Sequence, residues 1–488
     1  MLLSAVLLLV RVASALIVDQ PGYTDAYYYH DVARRLAAGQ GLTADFVWNP
    51  LEAAPGTALP IPSHRFWMPL ASLIQAAGIV LLPFLDSFHA SQWLTIVCAM
   101  GIPLVAYAAA RSLGSGEPAA LVTAALAGLG GAFAPGWVSL DAFAPAAVIG
   151  TLFFLTFARA ARGDATAGAL AGILVGLLFL ARGEGALFGL ALVALLPHPA
   201  TRRAGLFATG TALAIGLGWL MRDLLPGLPA GLFARTALLV RYEEFFAVAP
   251  PDGGAVLVDV PAFLGAKATA LAANLATAAI GFLVILVPFI ATGGLARARR
   301  PAVRAFFGLL LIVYLAESLI WTLHSTRGSY FHSLAAFFPY GIALGVLGVA
   351  ATLERRRWHR RAVTLVSASG LAGAVLVSAM AVGQWGASFD PPYRARLAAL
   401  ERIPPGAFLA VDAAAWRWIS GRTVVVTPAD GIAAASCYRS AIDLRSIVLE
   451  PAHFSAYDDL YRRLALSAGS ANEPIRVQAL GDARDCPQ

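Results

Sequence analysis

Charge is scarce in this chain of 488 residues: only 13% are Asp, Glu, Lys or Arg, where a soluble globular protein carries about 25%. Lysine is almost missing, Lys267 being the single one among 35 basic residues, and the arginine bias reads as base composition of the coding DNA rather than as mechanism. Three cysteines, Cys98, Cys437 and Cys486, are too few for a disulfide scaffold, although Cys437 and Cys486 could pair if their polar region lies outside the cell. These shortages exclude a soluble globular protein, a disordered chain and a coiled coil. What is abundant is apolar: 59% of residues, in blocks of about 18–22, the length a helix needs to cross about 30 Å of hydrocarbon.

The expected fold class is therefore an all-α polytopic membrane protein. Apolar segments fall at about 1–18, 91–110, 119–138, 142–158, 168–182, 184–197, 204–221, 270–291, 305–322, 333–351 and 362–383. Arginine concentrates in every second connection: Arg111; Arg159 and Arg162; Arg202 and Arg203; Arg297 to Arg304; Arg355 to Arg361. By the positive-inside rule these five connections are cytoplasmic. The positive balance of +7 is thus used for orientation, and nucleic acid is not an expected partner. Parity then requires the block Trp67–Phe84 to be a juxtamembrane or re-entrant helix on the outer face. About 11 spans result, in the plasma (inner) membrane, with the N-terminus cytoplasmic and the C-terminus outside. Arg11 lies within the first segment, which reads as an anchor rather than a cleaved leader because no small-residue cleavage site precedes Asp19.

Two outer connections are long, 19–90 and 222–269. Residues 1–384 are expected to form the membrane domain. Residues 385–488 are expected to form a small extracytoplasmic α/β domain, because short β-rich runs (Ala407–Val411, Thr423–Val426, Ser446–Leu449, Ile475–Val477) alternate with helix-like stretches. Within it Trp416, Arg417, Trp418, Tyr457 and Tyr461 suit either sugar stacking or the packing of its core.

Acids and bases at the ends of apolar helices carry a desolvation cost and so become functional candidates. Asp25 follows the first segment in Asp25-Ala26-Tyr27-Tyr28-Tyr29-His30-Asp31, where it also suits the N-cap of a helix beginning at Ala26. Asp141 occupies the turn between two spans and suits a cap as well. Arg182 and Glu184 interrupt an apolar stretch. His324, Arg327, Ser329 and His332, joined by the flexible Gly328, form a kit for gripping phosphate. His64 and Arg65 add cations before Trp67. Such a side suits a substrate with an anionic head and a hydrophobic tail.

At these residues the sequence resembles the C-type membrane glycosyltransferases, the GT-C group that includes protein O-mannosyltransferases, the aminoarabinose transferase of lipid A and bacterial Rgt-like transferases. The resemblance covers most of residues 1–350. It rests on Asp25 and its aromatic helix through Tyr28 and Asp31 to Gly39 and Gly41, on His64-Arg65-Phe66-Trp67-Met68-Pro69, on Ser139-Leu140-Asp141, on Arg182-Gly183-Glu184 and on Arg327-Gly328-Ser329. It implies transfer of a sugar from a polyprenyl-phosphate-linked donor to a lipid, glycan or protein acceptor. Asp25 would act as general base and Asp141 as the second outer acid, while Arg327, Arg65 and His324 would stabilise the departing phosphate. Either Arg65 or His64 could stand where some relatives have lysine. A monophosphate carrier is slightly favoured by one compact cation cluster. Asp25 and Asp31, six residues apart on a helix, face different ways, so no obligatory metal cofactor is expected. The alternative function is a transporter or flippase for a lipid-linked substrate, but that would place charge at mid-span and show two related halves. A mere anchor for the C-terminal region would leave the acids unexplained.

Overall fold

The computed structural model describes residues 2–50, 52–53, 55–224, 237, 239–248, 257–430, 434, 436–450 and 475–480. Tyr457, Tyr461, Cys486 and much of the connection 222–269 lie outside the described residues. The chain is mainly helical: α1 (Leu2–Ala15), α2 (Thr24–Ala37), α3 (Leu70–Leu81), α4 (Ser87–Ser112), α5 (Glu117–Leu129), α6 (Phe143–Ala160), α7 (Ala165–Ala181), α8 (Gly189–Val193) and α9 (Pro199–Leu224). There follow α10 (Val260–Gly281), α11 (Val287–Leu295), α12 (Pro301–Leu319), α13 (Tyr330–Leu334), α14 (Phe338–Arg355), α15 (Arg360–Ala399) and α16 (Ala413–Ser420).

Among the described residues, six helices are long and apolar enough to cross a membrane: α4, α6, α9, α10, α12 and α15. A seventh crossing arises if Thr322–Leu334 and Phe338–Arg355, bent by 67°, count as one broken span. This is a multi-pass membrane protein. Several of the eleven expected segments are shorter than their apolar runs. The run at 119–138 yields α5, 13 residues or about 20 Å, before Gly130 leaves helical space at φ 90° and two short 3₁₀ turns follow. The segment expected at 270–291 straddles a break, since Leu283 and Val284 have positive φ and separate α10 from α11. Within Trp67–Phe84 only α3 is helical, 12 residues and about 18 Å, too short to cross.

Small residues let helices approach where apolar burial alone gives no preference over lipid. Gly168 and Gly172 of α7 lie against the Ala204 and Ala208 backbone of α9, where a Cβ would come within 2.4 and 2.0 Å of the facing carbonyls. The bundle core adds buried aromatics, Phe153, Phe154, Phe306, Phe337 and Tyr340.

The expected β-rich runs are strands. β1 (Thr43–Ala44) and β2 (Ile61–Pro62) pair antiparallel in the first outer connection. Later come β3 (Ala407–Ala410), β4 (Val424–Val426), β5 (Leu444–Leu449) and β6 (Arg476–Ala479), in the order β4-β3-β5-β6. β3 is parallel to β4 (Phe408 opposite Val424) and to β5, and β6 is antiparallel to β5. α16, capped by Asp412 on Ala415 N–H, connects β3 to β4. α15 runs unbroken through residues 384 and 385, so no linker separates membrane and sheet regions there. The sheet also extends into the first connection. Val47 bridges to Val425, donating N–H to Val424 O at 2.9 Å and accepting from Val426 N–H at 2.7 Å. One apolar cluster consequently includes Tyr28 and Phe46 together with Phe408, Trp416 and Val425.

Candidate active site

α2 begins at Thr24, with Tyr23 rather than Asp25 as its N-cap and no side-chain cap bond. Asp25 therefore sits inside the first turn, where a carboxylate is favoured by the helix dipole, and faces a cavity of about 400 Å³. Asp141 is not the cap of α6 either; that position belongs to Ala142, whose N–H the Asp141 carboxylate accepts. Asp141 is 2% exposed, and its Oδ2 accepts from Tyr23 Oη–H at 2.8 Å and meets His332 Nε2 at 2.9 Å.

The two acids are driven apart electrostatically. Burial, then the neighbouring Asp141 charge, pushes Asp25 up to about 6 against the pull of His332 and Arg182. Burial pushes Asp141 upward too, but His332, Arg182 and the Ala142 N–H outweigh it and hold it below the usual carboxylate range. At neutral pH both are ionised, and Asp25 is the better base.

His332 is fixed by stacking on Phe143, centroids 4.0 Å apart, and by Nδ1 at 2.8 Å from Gly328 O. A carbonyl only accepts, so Nδ1 carries the proton. Nε2 then meets Asp141 acceptor to acceptor unless a proton or cation lies between them. Asp25, Asp141 and His332 each offer a ligand atom within 4.8 Å of the others, so this trio fits a divalent cation. Asp31, the partner weighed from sequence, is elsewhere, paired to Arg34 at 2.5 Å and facing Arg417 at 3.7 Å.

A second charged group lies on the same cavity wall. α7 stops at Arg182, and the 3₁₀ turn Gly183–Phe188 presents Glu184. Arg182 Nε lies 3.5 Å from Glu184 Oε2, Arg182 Nη2 donates to Ser329 Oγ at 2.9 Å, and Ser329 lies 3.0 Å from Glu184 Oε1. Burial pushes Glu184 up, but Arg182 overrides it and keeps Glu184 below its ordinary value. Ser329 and His332 reach the wall because the chain kinks at 325–329: Gly328 takes φ 117°, which an L side chain rarely adopts. Arg327, exposed at the kink, stacks its guanidinium 3.9 Å from the Tyr242 ring, and His324 sits edge-on to Phe245 at 4.6 Å.

Thus Asp25, Arg182, Glu184, His324, Arg327, Ser329 and His332 all line the main cavity, with Asp141 directly behind it. His64 and Arg65 do not. They line an adjoining cavity of about 310 Å³ with Trp219 and Trp321, and Met68, Gly183 and Trp321 border both cavities. His64 is fully buried, Nδ1 on Trp67 O at 3.1 Å, and burial pushes it down to about 3, so it is uncharged at neutral pH. Of that pair, Arg65 is the cation. Tyr28 is turned away from the cavity, donating to Glu52 at 3.1 Å and accepting from His64 N–H at 2.7 Å.

Sequence reasoning missed the aromatic walls, Tyr23, Tyr29, Trp48, Phe245, Trp385 and Phe389, which long connections and α15 bring together. It also missed Glu317, fully buried in α12, although a carboxylate inside an apolar span was a readable signal.

The fold and cavity define a polytopic membrane protein with an acid-and-arginine site at helix ends, roofed by aromatic rings. No family model matches the sequence, and no curated protein matches it. Solved structures do share the fold. The aminoarabinose transferase ArnT from Cupriavidus metallidurans, bound to undecaprenyl phosphate, is similar at TM-score 0.60 and 15% identity, over 100% of this chain and 99% of that one. The oligosaccharyltransferase from Archaeoglobus fulgidus, tethered to an acceptor peptide, is similar at 0.52 and 13%, over 91% and 69%. The mycobacterial arabinofuranosyltransferase AftD is similar at 0.50 and 14%, over 92% and 36%. What this chain shares with these three solved structures is the fold.

Proposed function

We propose that this chain is a membrane glycosyltransferase that moves a sugar from a polyprenyl-phosphate-linked donor to a lipid, glycan or protein acceptor on the outer face of the plasma membrane. The observation that supports this reading best is the pair of unlike carboxylates, Asp25 raised to about 6 on the cavity wall and Asp141 lowered behind it, in a cavity that Arg182 and Arg327 also line. A general base works best when its pKa lies near the working pH.

In the proposed step an acceptor oxygen forms its bond to the anomeric carbon as its proton passes to Asp25. The bond from that carbon to the phosphate oxygen breaks on the opposite face, and the electron pair leaves with the polyprenyl phosphate. Arg182, Arg327 and, from the adjoining cavity, Arg65 would stabilise the developing charge, and arginine suits phosphate because its planar fork binds two oxygens at once. Asp141 holds Tyr23 and His332 around the base. The aromatic walls exclude water and offer faces to a sugar ring. The reading keeps to no obligatory metal. Were a divalent ion bound, Asp25, Asp141 and His332 would hold it, and it would supply Lewis-acid stabilisation of negative charge.

The test is transfer of a labelled sugar from a polyprenyl-phosphate donor by purified protein. Asp25→Asn should lower kcat by about 10²–10⁴-fold while leaving donor binding intact. Full activity in a folded Asp25→Asn protein would refute the base. Wild-type activity should survive EDTA; loss restored by added Mn²⁺ would instead assign a cation to the Asp25, Asp141 and His332 trio.

A further inference from the structure

Ser329 has one hydroxyl proton and too many partners for it. Its Oγ receives an N–H from Arg182 at 2.9 Å and lies 3.0 Å from Glu184 Oε1 and 3.2 Å from Glu317 Oε1. Both carboxylates only accept when ionised, so the proton can satisfy one of them and leaves the other facing a lone pair. Glu317 is fully buried; Ser333 Oγ donates to its Oε1 at 2.9 Å, and its Oε2 has no hydrogen-bond partner among the described residues. No arginine or lysine forms an ion pair with Glu317 among the described residues, while Glu184 has Arg182. An unpaired buried carboxylate is expensive, and the mismatch disappears if this carboxyl is neutral.

We propose that Glu317 is a positioning residue that works in its protonated form, donating a hydrogen bond to Ser329 so that Ser329 donates to Glu184, the chain of three presenting Arg182 to the phosphate of the substrate. The conflict at Ser329 is then resolved: it accepts from Arg182 and Glu317 and donates once, to Glu184. The net charge of the cluster is zero, from Arg182 and Glu184, and Arg182, which lines the cavity with its side chain 13% exposed, keeps an Nη1 with no hydrogen-bond partner among the described residues. Were Glu317 to ionise, Ser329 would lose a donor and Arg182 would face two carboxylates, weakening its hold on an anion.

The titratable groups around Glu317 are known element by element. Arg182 and Glu184 come from the turn after α7, Tyr330 and His332 from α13, His324 and Arg327 from the kink, and Lys267, bonded to Thr322 Oγ1 at 2.7 Å, from α10. Arg304 and Tyr314 share its own helix, and Arg159 stands at the far end of α6.

The inference rests on the transferase reading, so two measurements on full-length protein separate them: binding of polyprenyl phosphate by itself, and the pH profile of kcat/KM for sugar transfer. Wild type should lose kcat/KM on the alkaline side. Glu317→Gln, which is neutral and can still donate to Ser329, should stay within about threefold of wild type at neutral pH and should lose that alkaline limb. Glu317→Leu should bind the lipid phosphate and transfer sugar at least about tenfold less well, the effect of about one lost hydrogen bond to a charged network. A Gln variant as inactive as the Leu variant, or one that keeps the wild-type alkaline limb, overturns the proposal, as does a wild-type profile that stays flat at high pH. If the Leu protein does not fold, the Gln variant decides alone. A wild type that neither binds polyprenyl phosphate nor transfers sugar would refute the transferase reading first.

Discussion

Asp25 and Asp141 are the same side chain given opposite tasks by their surroundings. Burial raises both, and His332, Arg182 and a backbone N–H pull both down; that pull wins at Asp141, which meets His332 directly, whereas Asp25 also feels the charge of Asp141. The sign for catalysis follows. A base raised to about 6 is protonated and idle below that pH and ionised above it, so kcat/KM should rise with pH through about 6. The limb belongs to the interacting pair rather than to one residue. His332→Gln removes an electropositive partner of both acids, so the limb should move to higher pH; a limb that stays in place would separate His332 from the pair's titration. Both acids were legible in the sequence because they end apolar runs. Their separate roles were not, since the neighbours that distinguish them come from residues 182 and 332. Asp31 and Tyr28 are secondary candidates by sequence beside Asp25, and they point from other faces of α2 into ion pairs and aromatic packing.

At the scale of an element, the kinked segment between α12 and α14 carries four cavity-lining residues, His324, Arg327, Ser329 and His332. An unbroken helix through 322–334 would carry Ser329 and His332 around its axis and off the wall. Gly328 permits the kink through its φ of 117°, and a Cβ there would meet only the His332 ring at an ordinary 3.8 Å. The penalty for Gly328→Ala is thus backbone strain rather than a clash, about 1–3 kcal/mol. Relaxing the kink is the way to relieve it, so transfer activity should drop by more than about tenfold while the melting temperature in detergent changes by only a few degrees. Equal activity with an unchanged melting temperature would show that the kink does not depend on glycine. Helix existence was readable from the apolar runs, and the small-residue contacts of α7 with α9 follow from composition. The break at Arg182 was readable from the charged pair it forms with Glu184, whereas the one at Leu283 was not, because hydropathy hardly changes along that run. Hydropathy reports what lipid tolerates and says little about where the backbone turns.

At the scale of the molecule, the C-terminal sheet is joined to the site and is not an appendage. Its strands were legible as β-rich runs, but their attachment was not, since Val47 and Val425 are 378 positions apart and nothing local pairs them. The joint is electrostatic as well as apolar. Arg396 of α15, 1% exposed, lies 3.2 Å from Asp412 and 3.0 Å from Glu450, and Trp416 Nε1–H also donates to Glu450. This cluster ties the last long helix to α16 and β5, the sheet holds Val47, and the next residue, Trp48, stacks on Trp67 at 3.9 Å in the cavity wall. Removing Arg396 alone would strand two buried acids, so Arg396→Met should destabilise the protein by about 3–5 kcal/mol. Neutralising the acids in the same chain, as Arg396→Met with Asp412→Asn and Glu450→Gln, should recover much of that loss, because the penalty lies in unpaired charge rather than in the missing bridge. Transfer activity should follow stability through both variants, since the route from Arg396 to the cavity runs through packed side chains and one strand bridge. Thermal unfolding and labelled-sugar transfer on the two proteins would measure this. A stable Arg396→Met protein with altered acceptor choice alone would instead separate the sheet from the integrity of the site.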